Sequence, residues 1–196
     1  MNFCVRSLGL VVTCLLVVRV SPATAGLIPF LKPQELIQKQ APPVINRSVY
    51  DRLGPDNATI VVSLSRQRVY VMAGQDVAID SPVSSGKHAG MTPTGDFTIV
   101  QKDKDHRSNV YGNFVDAHGR VVRAGVSAVI DAAPSGTHFE GAPMSYFMRI
   151  TWEGVGLHVG ILPGYAASHG CIRLPREVAQ ATFVKVRVGT PVRVAD

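Results

Sequence analysis

Thr59-Ile60-Val61-Val62-Ser63-Leu64, Ser65-Arg66-Gln67 and Arg68-Val69-Tyr70-Val71-Met72 form the stretch on which the fold turns. The two β-branched runs flank a three-residue polar break, and Ala73-Gly74-Gln75 then leads into a third run, Val77 to Val83. That pattern predicts a β-meander. Alternation puts Ile60, Val62 and Leu64 on one face of the first strand and Val69 with Val71 on one face of the second, as a half-buried sheet requires.

Working outward toward the C-terminus, Tyr146 to Trp152 and Gly156 to Gly160 read as strands, the second carrying His158. Pro163-Gly164 bends the chain toward Cys171. Pro175 suits the first turn of a helix over Arg176 to about Val186, Gly189 stops it, and Thr190 to Val194 forms a last strand. Between the meander and these strands, Ser84 to Gly95 is turn chemistry around Pro93 and Gly95, followed by a strand over Asp96 to Gln101. A plain connecting loop accounts for His88, with substrate contact as the alternative. Residues 102 to 143 are polar and weakly periodic, consistent with a long flap or extra strands over a cleft. His106, His118 and His138 are dispersed through them and make no metal pattern. With no internal repeat and one short C-terminal helix, the chain is expected to be mainly β.

Upstream, residues 26 to 57 hold five of the 13 prolines and no sustained hydrophobic period. They read as a Pro-rich linker, or an arm packing loosely on the domain, with one short helical turn near Gln34 to Gln40. Residues 1 to 25 resemble a secretory signal: Arg6, an apolar run from Leu8 to Val18, then Ala23-Thr24-Ala25 as a small-x-small cleavage site. The run is short for a membrane span, so cleavage after Ala25, export to the periplasm or cell envelope, and no stable span afterwards are expected, with an uncleaved anchor as the alternative.

The 196 residues are 46% hydrophobic and 17% charged, which suits one globular domain with a real core. Two of the 20 basic residues, Arg6 and Arg19, lie in the leader and none of the 14 acidic ones does, so the net charge falls from +6 to +4 on cleavage. The basic residues are scattered and not interleaved with aromatics, which argues against nucleic acid binding.

Of the three cysteines, Cys4 and Cys14 leave with the leader, and Cys171 has no intramolecular disulfide partner. An isolated cysteine is usually a small buried apolar residue. Its setting, Ser168-His169-Gly170-Cys171-Ile172-Arg173 with His158 just upstream, argues instead for a nucleophile. A free thiol is mostly protonated at neutral pH, and two histidines and an arginine are the groups that lower its pKa. Gly170 permits a sharp turn that aims backbone N–H groups at a developing oxyanion.

These residues carry a family resemblance. Leu157-His158 followed by Ser168-His169-Gly170-Cys171-Ile172-Arg173-Leu174 resembles the signature of the L,D-transpeptidase (YkuD) catalytic domain, and Thr92-Pro93-Thr94-Gly95-Asp96-Phe97 resembles the same family's N-terminal half. The likeness covers roughly residues 58 to 195 and implies a β-sandwich or barrel. It implies peptidoglycan chemistry: Cys171 attacks a tetrapeptide stem at the bond between the L-centre of the diamino acid and terminal D-alanine, which leaves. The thioester then passes to an amine, giving a 3-3 cross-link. On this likeness His158, preferred over His169, is the proton acceptor and donor, Gly170 and Cys171 N–H groups bind the oxyanion, His169 and Ser168 orient the site, and Arg173 binds a substrate carboxylate, lowers the thiol pKa or makes a structural ion pair. The interval from Val159 to Ser168 is shorter than in many family members, so a compact loop is expected.

Three alternatives stay open at this stage. One is a cysteine hydrolase on wall peptides with water as acceptor. Another is a non-catalytic wall-binding protein. The last is a zinc site of His158, His169 and Cys171, which lacks an obvious fourth ligand. No cofactor is called for, and the oligomeric state is not legible.

Overall fold

The computed structural model describes residues 40–196, so the expected leader and nearly all of the helical turn expected near residues 34 to 40 lie outside the described residues. In chain order the elements are Val44–Ile45 (β1), Arg47–Arg52 (α1), Ala58–Ser63 (β2), Arg68–Ala73 (β3), Asp76–Pro82 (β4), Gly95–Thr98 (β5), Gln101–Asp103 (β6) and Arg107–Val115 (β7). Then follow Val121–Ser127 (β8), His138–Pro143 (β9), Phe147–Arg149 (β10), Gly156–Val159 (β11), Ile172–Leu174 (β12), Arg176–Lys185 (α2) and Pro191–Ala195 (β13).

The quoted stretch folds as predicted. β2 and β3 pair antiparallel with Ile60 opposite Val71 and Val62 opposite Val69, and Gln67 turns the chain between them at a positive φ of 49°. β13 adds in parallel on the other side of β2, setting Val192 beside Ile60 and Val194 beside Val62. The sheet reads β1-β4-β3-β2-β13-β5. A second sheet, β12-β11-β10-β6, packs its own apolar face against it through Met148, Leu157, Ile172 and Leu174, none more than 1% exposed. Val178 and Ala179 of α2, Val49 of α1 and Leu53 at the C-cap of α1 complete this core. Full burial of one such aliphatic side chain is worth about 1.5–3 kcal/mol, so the interleaved rows, not local propensity, hold the two layers together. The expected mainly β sandwich is therefore present.

Residues 107–143 form a third sheet, β8-β7-β9. It has a small apolar cluster of its own, with Phe114 edge-on to Phe139 at 6.3 Å and buried Val115 and Val126 outside the main core. Register shifts interrupt β7 on both sides, which breaks the period of two and explains the weak sequence signal.

Three boundaries differ from expectation. The Pro-rich arm does not extend to residue 57: β1 pairs with β4, and α1, an extra helix capped by Asn46, buries Val49 and Leu53 in the core. The strand expected over Asp96 to Gln101 is two strands in different sheets, because fully buried Ile99 crosses between the layers, tied by Ile99 N–H to Thr190 O and Gly189 N–H to Ile99 O. The strand expected over Tyr146 to Trp152 is trimmed to β10, with Tyr146 at a φ of 56° before it and exposed Trp152 in a turn after it. The helix expected over Arg176 to about Val186 is present as α2, with Pro175 as its N-cap and Val186 as its C-cap. Among the described residues no helix is long and apolar enough to cross a membrane.

Candidate active site

The second sheet has two faces, and the candidate residues lie on its outer one. β11 and β12 run parallel with Leu157 beside Ile172 and His158 beside Arg173. Leu157 and Ile172 face the core, so His158 and Arg173 face away from it. Cys171, two residues before Arg173, falls at the level of Gly156 on that same outer face.

The nucleophile loop is built from side-chain and backbone ties. Ser168 is buried; its Oγ donates to Cys171 O at 2.5 Å and accepts the Gly170 N–H at 3.0 Å. Gly170 sits at a φ of 135°, and a Cβ there would meet Met91 O at 2.8 Å, so the position suits glycine on both counts. The segment from Ser84 to Thr92 straps this loop in place: Ser168 N–H donates to Ser85 O, Lys87 N–H to Ser168 O, and Arg173 and Ser84 exchange backbone bonds. Thr92, 4% exposed, closes the strap by accepting the Gly86 N–H at 2.8 Å and donating to Gly170 O at 2.6 Å. In the sequence Thr92 belongs to a turn and to the stretch resembling the family's N-terminal half, with nothing to tie it to the Cys171 loop.

His158 is 8% exposed, and its Nδ1 lies 2.7 Å from Val159 O. A carbonyl can only accept, so Nδ1 carries the hydrogen and Nε2 keeps its lone pair. Burial above all, with the positive charge of Arg173 and the neighbouring His106 adding to it, pushes the imidazole down to about 4 despite the Val159 bond. Cys171 is a free, partly buried thiol whose Sγ donates to Gly154 O at 3.6 Å. Its burial raises the pKa, and this outweighs the Gly156 N–H and the guanidinium groups of Arg149 and Arg173, which pull the other way. The expectation of a thiol already lowered toward neutrality is thus corrected. Both partners are held in their neutral forms, because the outer face is too dry to favour an ion pair.

The oxyanion assignment also changes. The Gly170 N–H is taken by Ser168 Oγ, which leaves the Cys171 N–H as the donor of the expected two without a loop partner. Exposed His169 is turned away into a stack with Tyr111 of β7, ring centroids 4.2 Å apart and planes 12° apart. The third sheet thus reaches the nucleophile loop, as a flap over the cleft would. Arg173 is half-buried and has no carboxylate in ion-pair range among the described residues. His106, dispersed in the sequence, stacks on Phe147 at 4.3 Å and donates from Nδ1 to Asp103 Oδ2 at 3.1 Å, and Phe147 in turn lies 6.3 Å from the His158 ring. His88 instead lines a cavity of about 420 Å³ with Gln67, Ser85, Lys87 and Thr92, which Cys171 does not reach. Among the described residues no three His, Cys, Asp or Glu side chains converge to hold a metal ion.

Comparison with known proteins agrees with this geometry. The family model described as the L,D-transpeptidase catalytic domain, YkuD, matches residues 57–194, and the chain belongs to that family. It is similar to L,D-transpeptidase 1 of Mycobacterium tuberculosis, 28% identical over 144 residues that cover 68% of this chain and 49% of that one. The chain thus spans about half the length of the curated relatives it matches. The structure of LD transpeptidase LdtMt1 in complex with imipenem superposes with a TM-score of 0.52 at 26% identity, covering 70% of this chain and 58% of that one. An L,D-transpeptidase from Mycobacterium smegmatis shares the fold with a TM-score of 0.53 at 23% identity, covering 71% of this chain and 59% of that one.

Proposed function

We propose that the chain is a cysteine-dependent peptidoglycan L,D-transpeptidase, exported to the periplasm or cell envelope by residues 1 to 25. The observation that carries the reading is the outer face of the second sheet. There an imidazole with Nδ1–H tied to Val159 O shares one face with a single free thiol, on a loop strapped by Thr92.

His158 Nε2 takes the thiol proton as Sγ attacks the carbonyl of the diamino acid in a tetrapeptide stem. Because both groups start neutral, charge is created only as the bond forms, which places the benefit of the site in the transition state. The oxyanion is met by the Cys171 N–H, a donor of a kind worth about 3 kcal/mol in such sites. Collapse of the tetrahedral species breaks the C–N bond, and His158 delivers its proton to the amine of D-alanine as it leaves. A thioester remains. An acceptor amine attacks it, His158 takes the amine's proton and returns it to the departing sulfur, and a 3-3 cross-link or an exchanged peptide results. Ser168 holds the loop, His169 sits at its exposed rim, and Arg173 offers a cation to a substrate carboxylate.

The test is product analysis by mass spectrometry after incubation with a tetrapeptide stem and an added amine, either a second stem or a free D-amino acid. The reading expects amide exchange and D-alanine release by the wild type and neither by Cys171→Ala. Trimmed tripeptide alone would make the protein a hydrolase using the same residues, and no change with any donor would leave a wall-binding role.

A further inference from the structure

One row of residues crosses the second sheet at the height of the thiol. Gln101 on β6 pairs with Arg149 on β10, Arg149 pairs with Gly156 on β11, and Gly156 lies level with Cys171 just before β12. Arg149 is therefore one strand removed from the residue whose N–H touches the sulfur. Its guanidinium reaches the loop on that side as well: a side chain at Gly154 would meet Arg149 Nη1 at 3.4 Å, and Gly154 O is the acceptor of the thiol.

The guanidinium is oriented without being neutralised. Its Nε donates to Gln101 Oε1 at 2.8 Å and its carbon lies 5.1 Å from the centre of the Phe147 ring, which together fix the plane of the group. Among the described residues no carboxylate lies in ion-pair range of Arg149, whereas Arg52, Arg68, Arg107, Arg120, Arg123, Arg187 and Arg193 each have one. With Nε occupied, the Nη1 and Nη2 edge is left for a ligand, and that edge matches the two oxygens of a carboxylate.

Resting on the proposed transpeptidase reading, we propose that Arg149 is a specificity-determining residue that binds, across the thiol from Arg173, a donor-peptide carboxylate flanking the scissile bond. Two such groups flank that bond: the carboxyl of terminal D-alanine, and the side-chain carboxyl of the diamino acid where it bears one. Both present the same chemistry to the guanidinium. Gln101 is then a positioning residue, acting through the Nε bond.

The experiment compares wild type, Arg149→Gln and Arg149→Lys on three tetrapeptide donors: both carboxyls free, the terminal one amidated, and the side-chain one amidated. The readouts are kcat and KM for D-alanine or D-alaninamide release, with thermal melts of each variant. On the free donor, Arg149→Gln is expected to lose about 10- to 100-fold in kcat/KM, the loss of a charge-assisted pair of hydrogen bonds, and Arg149→Lys less. On one amidated donor, wild type and both variants should converge to within about 3-fold, and that donor identifies the carboxylate. If the variants lose the same factor on all three donors, Arg149 acts on the thiol or the fold alone and the proposal is overturned. Should Arg149→Gln fail to fold, the same convergence is read from Arg149→Lys. Failure of the transpeptidase reading is distinct: D-alanine release by the wild type with no amide exchange would replace transfer by hydrolysis and leave the Arg149 comparison standing, whereas no release from any donor would fell both proposals.

Discussion

Replacement of Thr92 by valine removes one hydroxyl and almost no volume, and it tests whether the strap holds the nucleophile loop. The hydroxyl accepts from Gly86 N–H at 2.8 Å and donates to Gly170 O at 2.6 Å, at a side chain 4% exposed. In Thr92→Val both backbone groups lose their partner. An unpaired buried polar group costs about 1–3 kcal/mol, and Gly86 is only partly buried, so a total near 3 kcal/mol is expected. At roughly 3 °C per kcal/mol for a domain of this size, the melting temperature should fall by about 9 °C. Thr92→Ser keeps the hydroxyl and loses a methyl group, and it should stay within about 1 kcal/mol of wild type. Chemical denaturation of the three proteins measures the difference, and the rate of D-alanine release should fall with stability in Thr92→Val but not in Thr92→Ser. If valine and serine melt together, or valine lies within about 0.5 kcal/mol of wild type, the strap does not work as described.

His158 gives a pH signature. In the unfolded chain the imidazole takes its proton near 6.5, and in the fold only near 4, so between those values the unfolded state binds more protons. Stability attributable to this group is full above about pH 6.5 and falls as the pH drops toward 4, by up to about 3 kcal/mol, and is level below that. Denaturation midpoints between pH 7 and pH 4 should therefore slope less in His158→Gln than in wild type, and parallel curves would count against a buried neutral ring. Gly170→Ala should cost at least about 2 kcal/mol, from a left-handed φ of 135° and a Cβ set 2.8 Å from Met91 O, and a melt unchanged from wild type would show that the loop can relax. Lys102→Met should loosen the end of α2 by about 1–2 kcal/mol, since Nζ donates to both Phe183 O and Val186 O; hydrogen exchange in the last turn of the helix would reveal it, and unchanged protection there would not fit.

The parts of the fold legible in the sequence were those set by period and punctuation. Ile60, Val62, Val69 and Val71 alternate cleanly because one face of each strand meets the core, and Pro175 and Gly189 bracket the helix that follows the site. The loop around Cys171 stood out because a cysteine amid Ser168, His169 and Gly170, outside the expected leader that holds the other two, has few structural reasons to exist. What escaped depended on distance in the fold. Thr92 contacts Gly170 across 78 residues, and Arg149 comes level with the thiol only because β10 and β12 flank β11. β7 hid behind its register shifts, and Ile99 concealed a change of sheet within what reads as one strand. The direction of the thiol pKa could not be read either. It is set by the burial of the thiol in the folded chain, and composition around Cys171 alone suggests the opposite sign.

The central claim is that a neutral thiol at Cys171 is made nucleophilic by proton transfer to His158 as the acyl bond forms. Intact-mass measurement of acylation rate by a tetrapeptide donor, from pH 6 to pH 10 in wild type and His158→Gln, tests it most directly. The expected result is a single adduct on Cys171, with His158→Gln slower by about 100- to 10,000-fold at pH 7 and recovering as the thiolate forms unaided at high pH. Acylation of His158→Gln at the wild-type rate at pH 7, or an adduct that persists in Cys171→Ala, would contradict it.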